Sequence, residues 1–163
     1  MTSDSRLFSE ASYAAIRYGF GFTHRPIPRT AAHLLARLTE RDDIARRYKV
    51  MNFEATRQLM IDFLAARKVR RDSDASEAAY QEVRGRIRRA EEGQMLRALA
   101  RIVDTGDPFR ERLVWFWADH FTARSKFLPQ NPATASYIDE AIRPHVTGRF
   151  ADMLAAVVTH PVM

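Results

Sequence analysis

The chain has 163 residues, the size of a single domain that buries about 70% of its extended-chain surface. It contains no cysteine, which excludes disulfide bonds, thiol chemistry and zinc sites built on sulfur. Arginine supplies 23 of the 26 basic residues behind the net charge of +6. This arginine-rich balance indicates compositional bias before it indicates an anionic partner, so nucleic acid is not the expected partner.

No targeting or membrane segment is predicted. The first twenty residues lack a basic stretch followed by an apolar one, so no signal peptide is expected. The wholly apolar runs, such as residues 154–158, are far too short to span a membrane. A soluble protein with a cytoplasmic location is the default prediction, and the oligomeric state is left open.

The N-terminal part is predicted to be helical. A rough apolar face runs along Ser5–Tyr18, and Gly19 and Gly21 then break the helix. Two prolines predict an extended loop over residues 23–29. Thr30 is expected to cap a second helix, whose inward residues are predicted to be Leu34, Leu35 and Leu38.

The middle of the chain is predicted to contain a short helical turn and two longer helices. Residues 40–48 suit the turn, and Asn52 suits the cap of the next helix. Ser76 is predicted to begin a helix that runs to Asp104, with a kink near Gly93. The buried face of the helix after Asn52 is predicted to consist of Leu59, Met60, Phe63 and Leu64.

The two halves of the long helix differ. The first half has only a narrow apolar seam, enough for one partner helix, so residues 57–92 are predicted to form a protruding arm. Residues 67–101 contain ten basic and six acidic side chains, which favours a solvated arm and leaves an anion-binding arm as the alternative. The seam is Tyr80, Val83, Ile87 and Ala90, and the half expected to rejoin the core carries Met95, Leu96, Leu99, Ile102 and Val103.

The segment Asp107–Phe121 is predicted to be the central helix, because it contains both tryptophans. Asp107 can cap the first turn, and Pro108 suits the first helical position. Arg110, Glu111 and Arg112 lie off the apolar stripe and are expected to form a solvated face. The stripe itself, at helical spacing, consists of Phe109, Leu113, Phe116, Trp117 and His120.

The C-terminal part completes an all-α fold. Asn131 and Pro132 predict a helix start, and that helix is expected to reach Ile142. A last helix is predicted to follow Gly148, with Phe150, Met153, Leu154, Val157 and Val158 on its apolar face. The fold prediction is an irregular bundle of about six to seven helices, one domain over residues 1–163, with the protruding arm.

His120 and His160 are the candidate catalytic residues. Each closes a predicted helix, and histidine titrates near neutral pH, so either could act as acid, base or metal ligand. The alternative is a structural histidine bound to the helix end. No metal, dinucleotide or nucleophile motif is present, so no cofactor-binding residue is predicted and the metal content is left open. Weaker candidates are His24, His33, His145 and a phosphate-binding loop over residues 122–126.

Three segments resemble a bacterial family, domain-of-unknown-function family 1800. Residues 14–21, AAIRYGFG, are similar to its N-terminal helix and turn. Residues 112–122, RLVWFWADHFT, resemble its aromatic helix, and residues 157–163, VVTHPVM, resemble its H-P-x-M junction. The residues carried over by motif position are Arg17, Gly19, Gly21, Trp117, His120, Phe121, His160 and Pro161.

The resemblance implies a helical fold and no known activity. Family members are expected to continue into further helices, and many are expected to be exported, unlike this chain. The first hypothesis is therefore a helical domain of unknown activity, the N-terminal part of a larger protein, whose partner is the missing C-terminal half or another chain. The alternatives are part of a hydrolytic or metal-assisted enzyme site using His120 and His160, and an arginine-rich module that binds anions or nucleic acid.

Overall fold

The structure is a computed structural model that describes residues 9–21, 30–125 and 127–163. Within these residues the fold is all-α, as predicted, with eight α-helices and no strand. No helix in this part of the chain has both the length and the apolar character needed to cross a membrane. The start of the predicted first helix, the loop over residues 23–29 with His24, and Lys126 lie outside the described residues.

The α-helices form an irregular bundle joined by short connections. A π-helical turn, Ile138–Ile142, continues the seventh helix, and short 3-10 turns occupy Leu128–Gln130 and Arg143–His145. The α-helices are α1 (Glu10–Tyr18), α2 (Ala31–Leu38), α3 (Asp43–Arg47), α4 (Phe53–Val69), α5 (Asp74–Asp104), α6 (Pro108–His120), α7 (Ala133–Tyr137) and α8 (Phe150–Thr159).

Helix starts follow the predicted caps in most cases. Thr30, Asn52 and Asp107 each accept a backbone N–H from the first turn of α2, α4 and α6. Asn131 does not cap α7. Its side-chain amide donates to Glu91 Oε1 at 3.0 Å, and its side-chain carbonyl accepts from Ser125 Oγ at 2.6 Å. The side chain therefore bonds to residues of other segments instead of the start of α7.

One apolar cluster lies between α4 and α5, which form an antiparallel hairpin. Ile87 of α5 is fully buried in the cluster with the side chains of α4, and the ring centres of Phe63 and Tyr80 lie 5.5 Å apart. The predicted seam of α5 therefore packs on α4, as expected. Leu64 was expected to be inward, but it is exposed because the buried face of α4 is centred on Leu59 and Phe63. The arm over residues 57–92 stays a prediction.

A second apolar cluster lies where α6, α7, the π-helical turn and α8 meet. Its fully buried members are Tyr137, Ala141, Ile142, Met153 and Val157. Trp117 and Phe121 pack against it from α6 and are partly buried. The helix predicted to be central therefore contributes only partly buried side chains to this cluster, and the C-terminal segments supply the fully buried ones.

The buried face of α6 is not the predicted stripe. Arg110, Glu111 and Val114 are the buried residues, whereas Phe116 is 60% exposed and Trp115 is 40% exposed. The apolar stripe predicted from helical spacing is therefore not the buried face of α6. Charged side chains can occupy a buried face when each finds a partner, and helical periodicity alone cannot identify those partners.

In the second half of α5, too, polar residues are buried and the apolar residues predicted to be buried are exposed. Gln94 and Arg101 are buried, whereas four apolar residues predicted to rejoin the core are exposed: Met95, Leu96, Leu99 and Val103. On α8 only Met153 and Val157 are buried, and Phe150, Leu154 and Val158 face outward. On α2, Leu34 is buried and Leu35 is exposed. The described helices leave these outward faces uncovered.

Candidate functional site

A buried ion pair joins α6 to the segment after the π-helical turn. Arg143 donates from Nη1 to Oε1 of Glu111 at 2.7 Å and from Nη2 to Oε2 at 2.9 Å. The Glu111 residue is only 1% exposed. This bidentate geometry is the strong form of an arginine–carboxylate contact. The expected solvated position of Glu111 was wrong, because Arg143 neutralises its charge inside the fold.

Asp139 of the π-helical turn connects this pair to α5. Arg101 donates to the two carboxylate oxygens of Asp139 at 2.6 and 2.8 Å, and Arg143 Nε donates to Asp139 at 3.3 Å. Arg101 also donates to the carbonyl of Tyr48 from Nε at 3.1 Å and from Nη2 at 2.7 Å. Asp139 therefore bridges two buried guanidinium groups.

Asp42 completes the charged network from the start of α3. Its Oδ2 accepts from Arg143 Nη1 at 3.0 Å, while its Oδ1 caps α3. Burial by itself would lower the pKa of Arg143, but hydrogen bonds with Glu111 and the charges of Glu111, Asp42 and Asp139 raise that pKa above its ordinary value. Arg143 is a permanent cation at the junction of four segments.

The network forms the floor of a cleft of about 280 Å³ between α5, α6 and α7. Met95 and Trp115 lie at its apolar rim. Every guanidinium nitrogen of Arg101 and Arg143 already donates to a carboxylate or a backbone carbonyl. Chemically, the floor fixes the helices and shapes the cleft; its cations are already committed to protein partners.

His120 is the exposed last residue of α6. Its ring lies edge-on to Trp117, with ring centres 5.6 Å apart, and edge-on to Phe121, with ring centres 4.9 Å apart. In the part of the chain that the structure describes, no hydrogen bond to this ring is present. The immediate setting of His120 is therefore aromatic.

His160 follows α8 in a different setting. Its Nδ1 accepts the N–H of Val162 at 3.3 Å, so in the neutral ring Nε2 carries the proton and faces Glu140 Oε2 at 3.3 Å. The ring also packs edge-on against Phe53 and Tyr137. Glu140 in turn accepts the N–H of Phe53 at 2.7 Å, so His160 belongs to a contact between α4 and α8.

The two candidate histidines have no direct contact, and their catalytic roles stay predictions. Tyr137 lies near both, since its ring packs edge-on against His160 and its hydroxyl donates to the carbonyl of Phe121, the residue after His120, at 2.9 Å. Among the described residues, no group of three or more His, Cys, Asp or Glu side chains is placed to hold a metal ion. Of the weaker candidates, His33 is exposed and His145 is half-buried.

The glycines of the predicted N-terminal motif have structural roles. Gly21 has a φ of +83°, which disfavours other residues. A Cβ on Gly19 would lie 2.7 Å from the carbonyl oxygen of Ala15, and the Gly19 carbonyl accepts from Arg112 Nη1 at 2.7 Å. The motif therefore docks the end of α1 on α6, with Arg17 exposed on its outer side.

A second cavity, of about 590 Å³, lies between α4, α5 and residues 49–51. Its lining includes four cationic side chains and no carboxylate: Lys49, Arg86, Arg89 and Arg97. We call it the arginine groove. The sequence indicated this feature only as the general basic character of residues 67–101. The groove can attract anions by charge, unlike the cleft above the neutralised network.

These features define an all-helical protein built around a buried arginine–carboxylate network. The chain belongs to the family described as protein of unknown function (DUF1800), whose model matches residues 14–163. No curated protein and no solved structure matches the chain. The family assignment confirms the predicted resemblance.

Proposed function

We propose that this chain is a helical packing unit, the N-terminal part of a larger protein, whose outward apolar surface on α5, α6 and α8 receives further helices. The proposal rests on where the side chains lie: large apolar side chains are exposed to solvent, whereas charged ones are buried. Met95, Leu96 and Phe116 are each at least 60% exposed, whereas Glu111 and Arg143 are buried on the inner side. The further helices would come from the same protein or from a partner chain.

Part of the outward apolar surface is continuous from α5 through α6 to α8. Met95 of α5 and Trp115 of α6 line the same cleft, and Phe116 beside it contacts Trp117 with ring centres 5.0 Å apart. Trp117 in turn contacts the exposed Phe150 of α8, with ring centres 5.4 Å apart. Large exposed apolar surfaces of this kind mark interaction sites, and each Å² covered contributes about 25 cal/mol.

The buried charges support the same function. A network that spans α3, α5, α6 and the π-helical turn holds the helices in fixed orientations before any partner binds. A preformed surface loses less conformational entropy on binding than a flexible one. The enzyme alternative has weaker support, because His120 faces aromatic rings and His160 faces Glu140.

The proposal is tested by placing charges on the outward surface. The variant Leu99→Lys/Phe116→Glu changes two exposed residues. Sedimentation equilibrium measures self-association, and the fluorescence of a dye that binds apolar surfaces measures how much of that surface is exposed. Wild-type protein is expected to self-associate as its concentration rises and to bind the dye. The variant is expected to remain monomeric and to bind less dye, with an unchanged urea midpoint.

A matched control places the same charges elsewhere. Ile61→Lys/Val69→Glu on α4 alters two residues of similar exposure, 42% and 43%. This control should retain the association and the dye binding of the wild type. A wild-type protein that stays monomeric without binding dye, or a control that behaves like the Leu99 and Phe116 variant, would contradict the proposed packing surface.

A further inference from the structure

We propose that the arginine groove binds a small phosphate ester that carries an apolar group. Basic side chains and apolar side chains share the lining, which indicates a ligand with both an anionic and an apolar part. The volume of about 590 Å³ lies within the usual range for small-molecule sites. The apolar members of the lining are Val50, Met51, Leu59 and Ala90.

The charge of the groove is only partly neutralised by the protein. Arg86 pairs with Asp62 at 3.2 Å and Arg89 pairs with Glu82 at 3.1 Å. Lys49 and Arg97 form no ion pair with any residue that the structure describes. Both carboxylates of the pairs lie outside the lining, so an anion in the groove faces two uncommitted cations and two shared ones.

The wall that carries Lys49 is fixed against α5. Gln94 is buried; its Oε1 accepts the N–H of Met51 at 2.9 Å and its Nε2 donates to the Pro132 carbonyl at 3.0 Å. Ser136, also fully buried, donates to the Met51 carbonyl at 2.7 Å. Two of these bonds use both backbone polar groups of Met51 and the third fixes Gln94, so together they hold residues 49–51 opposite the basic face of α5.

Two glycines in α5 allow its arginines to fold back along the helix. A Cβ at Gly93 would lie 2.8 Å from Nη1 of Arg97, and a Cβ at Gly85 would lie 3.2 Å from Nη1 of Arg89. The guanidinium groups therefore lie close to the helix surface, where a glycine leaves space. Glycine lowers helix stability relative to alanine, and at these two positions it leaves space for the guanidinium group of a groove arginine.

The proposal is tested by calorimetric titration of the whole chain at low salt with phenyl phosphate, inorganic phosphate and phenol. Phenyl phosphate is expected to bind more tightly than inorganic phosphate, because it also fills the apolar part of the groove, and phenol is expected to bind weakly. Arg97→Glu should weaken binding of phenyl phosphate by about tenfold or more, since an attractive charge becomes a repulsive one.

Arg88→Glu is the matched control. Arg88 is an exposed residue of the same helix outside the groove, and its replacement changes the net charge equally. Its affinity for phenyl phosphate should stay within about twofold of the wild type. No binding by the wild type, equal weakening by both variants, or a preference only for duplex DNA would each overturn the site. These outcomes do not depend on the outward apolar surface of α5, α6 and α8, so the groove is tested separately from the proposed packing function.

Discussion

The single residues whose replacement should change stability most are the buried charges that have a charged partner. Glu111 and Arg143 satisfy each other through two hydrogen bonds inside the fold. Such a pair adds little stability relative to apolar residues of the same shape, because both charges lose their water. Removing only one partner is different, since the other charge then stays buried without compensation. The pair therefore fixes the arrangement of α6 more than it adds net stability.

We expect Glu111→Gln to lower the free energy of unfolding by about 3–5 kcal/mol, because Arg143 loses its main neutralising charge. Urea denaturation measures this loss. Glu54→Gln, which removes the exposed partner of Arg57, should leave the urea midpoint almost unchanged. The double variant Glu111→Leu/Arg143→Met should recover much of the loss. Equal midpoints for Glu111→Gln and Glu54→Gln would argue against a structural role of the network.

Tyr137 makes stability sensitive to alkaline pH. Burial raises its pKa above the ordinary value near 10, so the unfolded chain releases this proton at lower pH than the folded chain. The stabilising contribution is present below pH 10 and is lost as pH rises through the folded-state pKa. Tyr137→Phe should cost about 1 kcal/mol at neutral pH, through the lost hydrogen bond to Phe121, and less at alkaline pH.

Urea unfolding of wild type and Tyr137→Phe at neutral and alkaline pH measures this difference. The exposed Tyr13 provides the control, and Tyr13→Phe should follow the wild type at every pH. If the cost of Tyr137→Phe is the same at both pH values, titration of Tyr137 does not contribute to stability.

At the scale of elements, helix bounds were predictable and buried faces were not. Caps are local, so Thr30, Asn52 and Asp107 mark helix starts from sequence alone. The start of α5 was predicted at Ser76, but the helix begins at Asp74. Its cap is Ser73, whose side chain accepts the backbone N–H of Ser76. Which face of a helix is buried depends on partners far along the chain, and the local pattern does not contain them.

Two glycine substitutions should have opposite effects on stability. Gly85→Ala should raise the free energy of unfolding by up to about 1 kcal/mol, because only the flexible end of Arg89 must move. Gly19→Ala should lower it by about 1–3 kcal/mol, because its Cβ would meet the Ala15 carbonyl oxygen, which is backbone. Thermal unfolding of the two variants provides the comparison. A stabilising Gly19→Ala would mean that the end of α1 is free to adjust.

At the scale of the whole molecule, the sequence predicted the fold class and missed the organising network. Asp42 caps α3, Arg101 lies on α5 and Glu111 lies on α6, and nothing local marks them as neighbours. One signal was present: Asp139 and Arg143 are four residues apart, the spacing of an ion pair on one helical face. The exposed face of α6 was missed because aromatic content predicts that a side chain is covered and does not identify what covers it.

The two tryptophans provide separate tests of the proposed packing surface. Trp115 is exposed at the rim of the cleft, whereas Trp117 packs against both Phe121 and Phe150. The variant Trp117→Phe retains only Trp115, and its emission should be red-shifted and readily quenched by iodide. The variant Trp115→Phe retains only Trp117, and its emission should lie further to the blue with weaker quenching.

Association through the outward surface should change these signals selectively. As protein concentration rises, the emission of Trp115 should shift to the blue, because a partner covers the cleft rim and removes water from the indole. The emission of Trp117 should change little, because its neighbours already shield it. Adding Leu99→Lys to the Trp117→Phe variant should abolish the shift. A concentration-dependent shift confined to Trp117 would place the contact on the α8 side of the surface, near Phe150, and remove the support for an interface across α5 and α6.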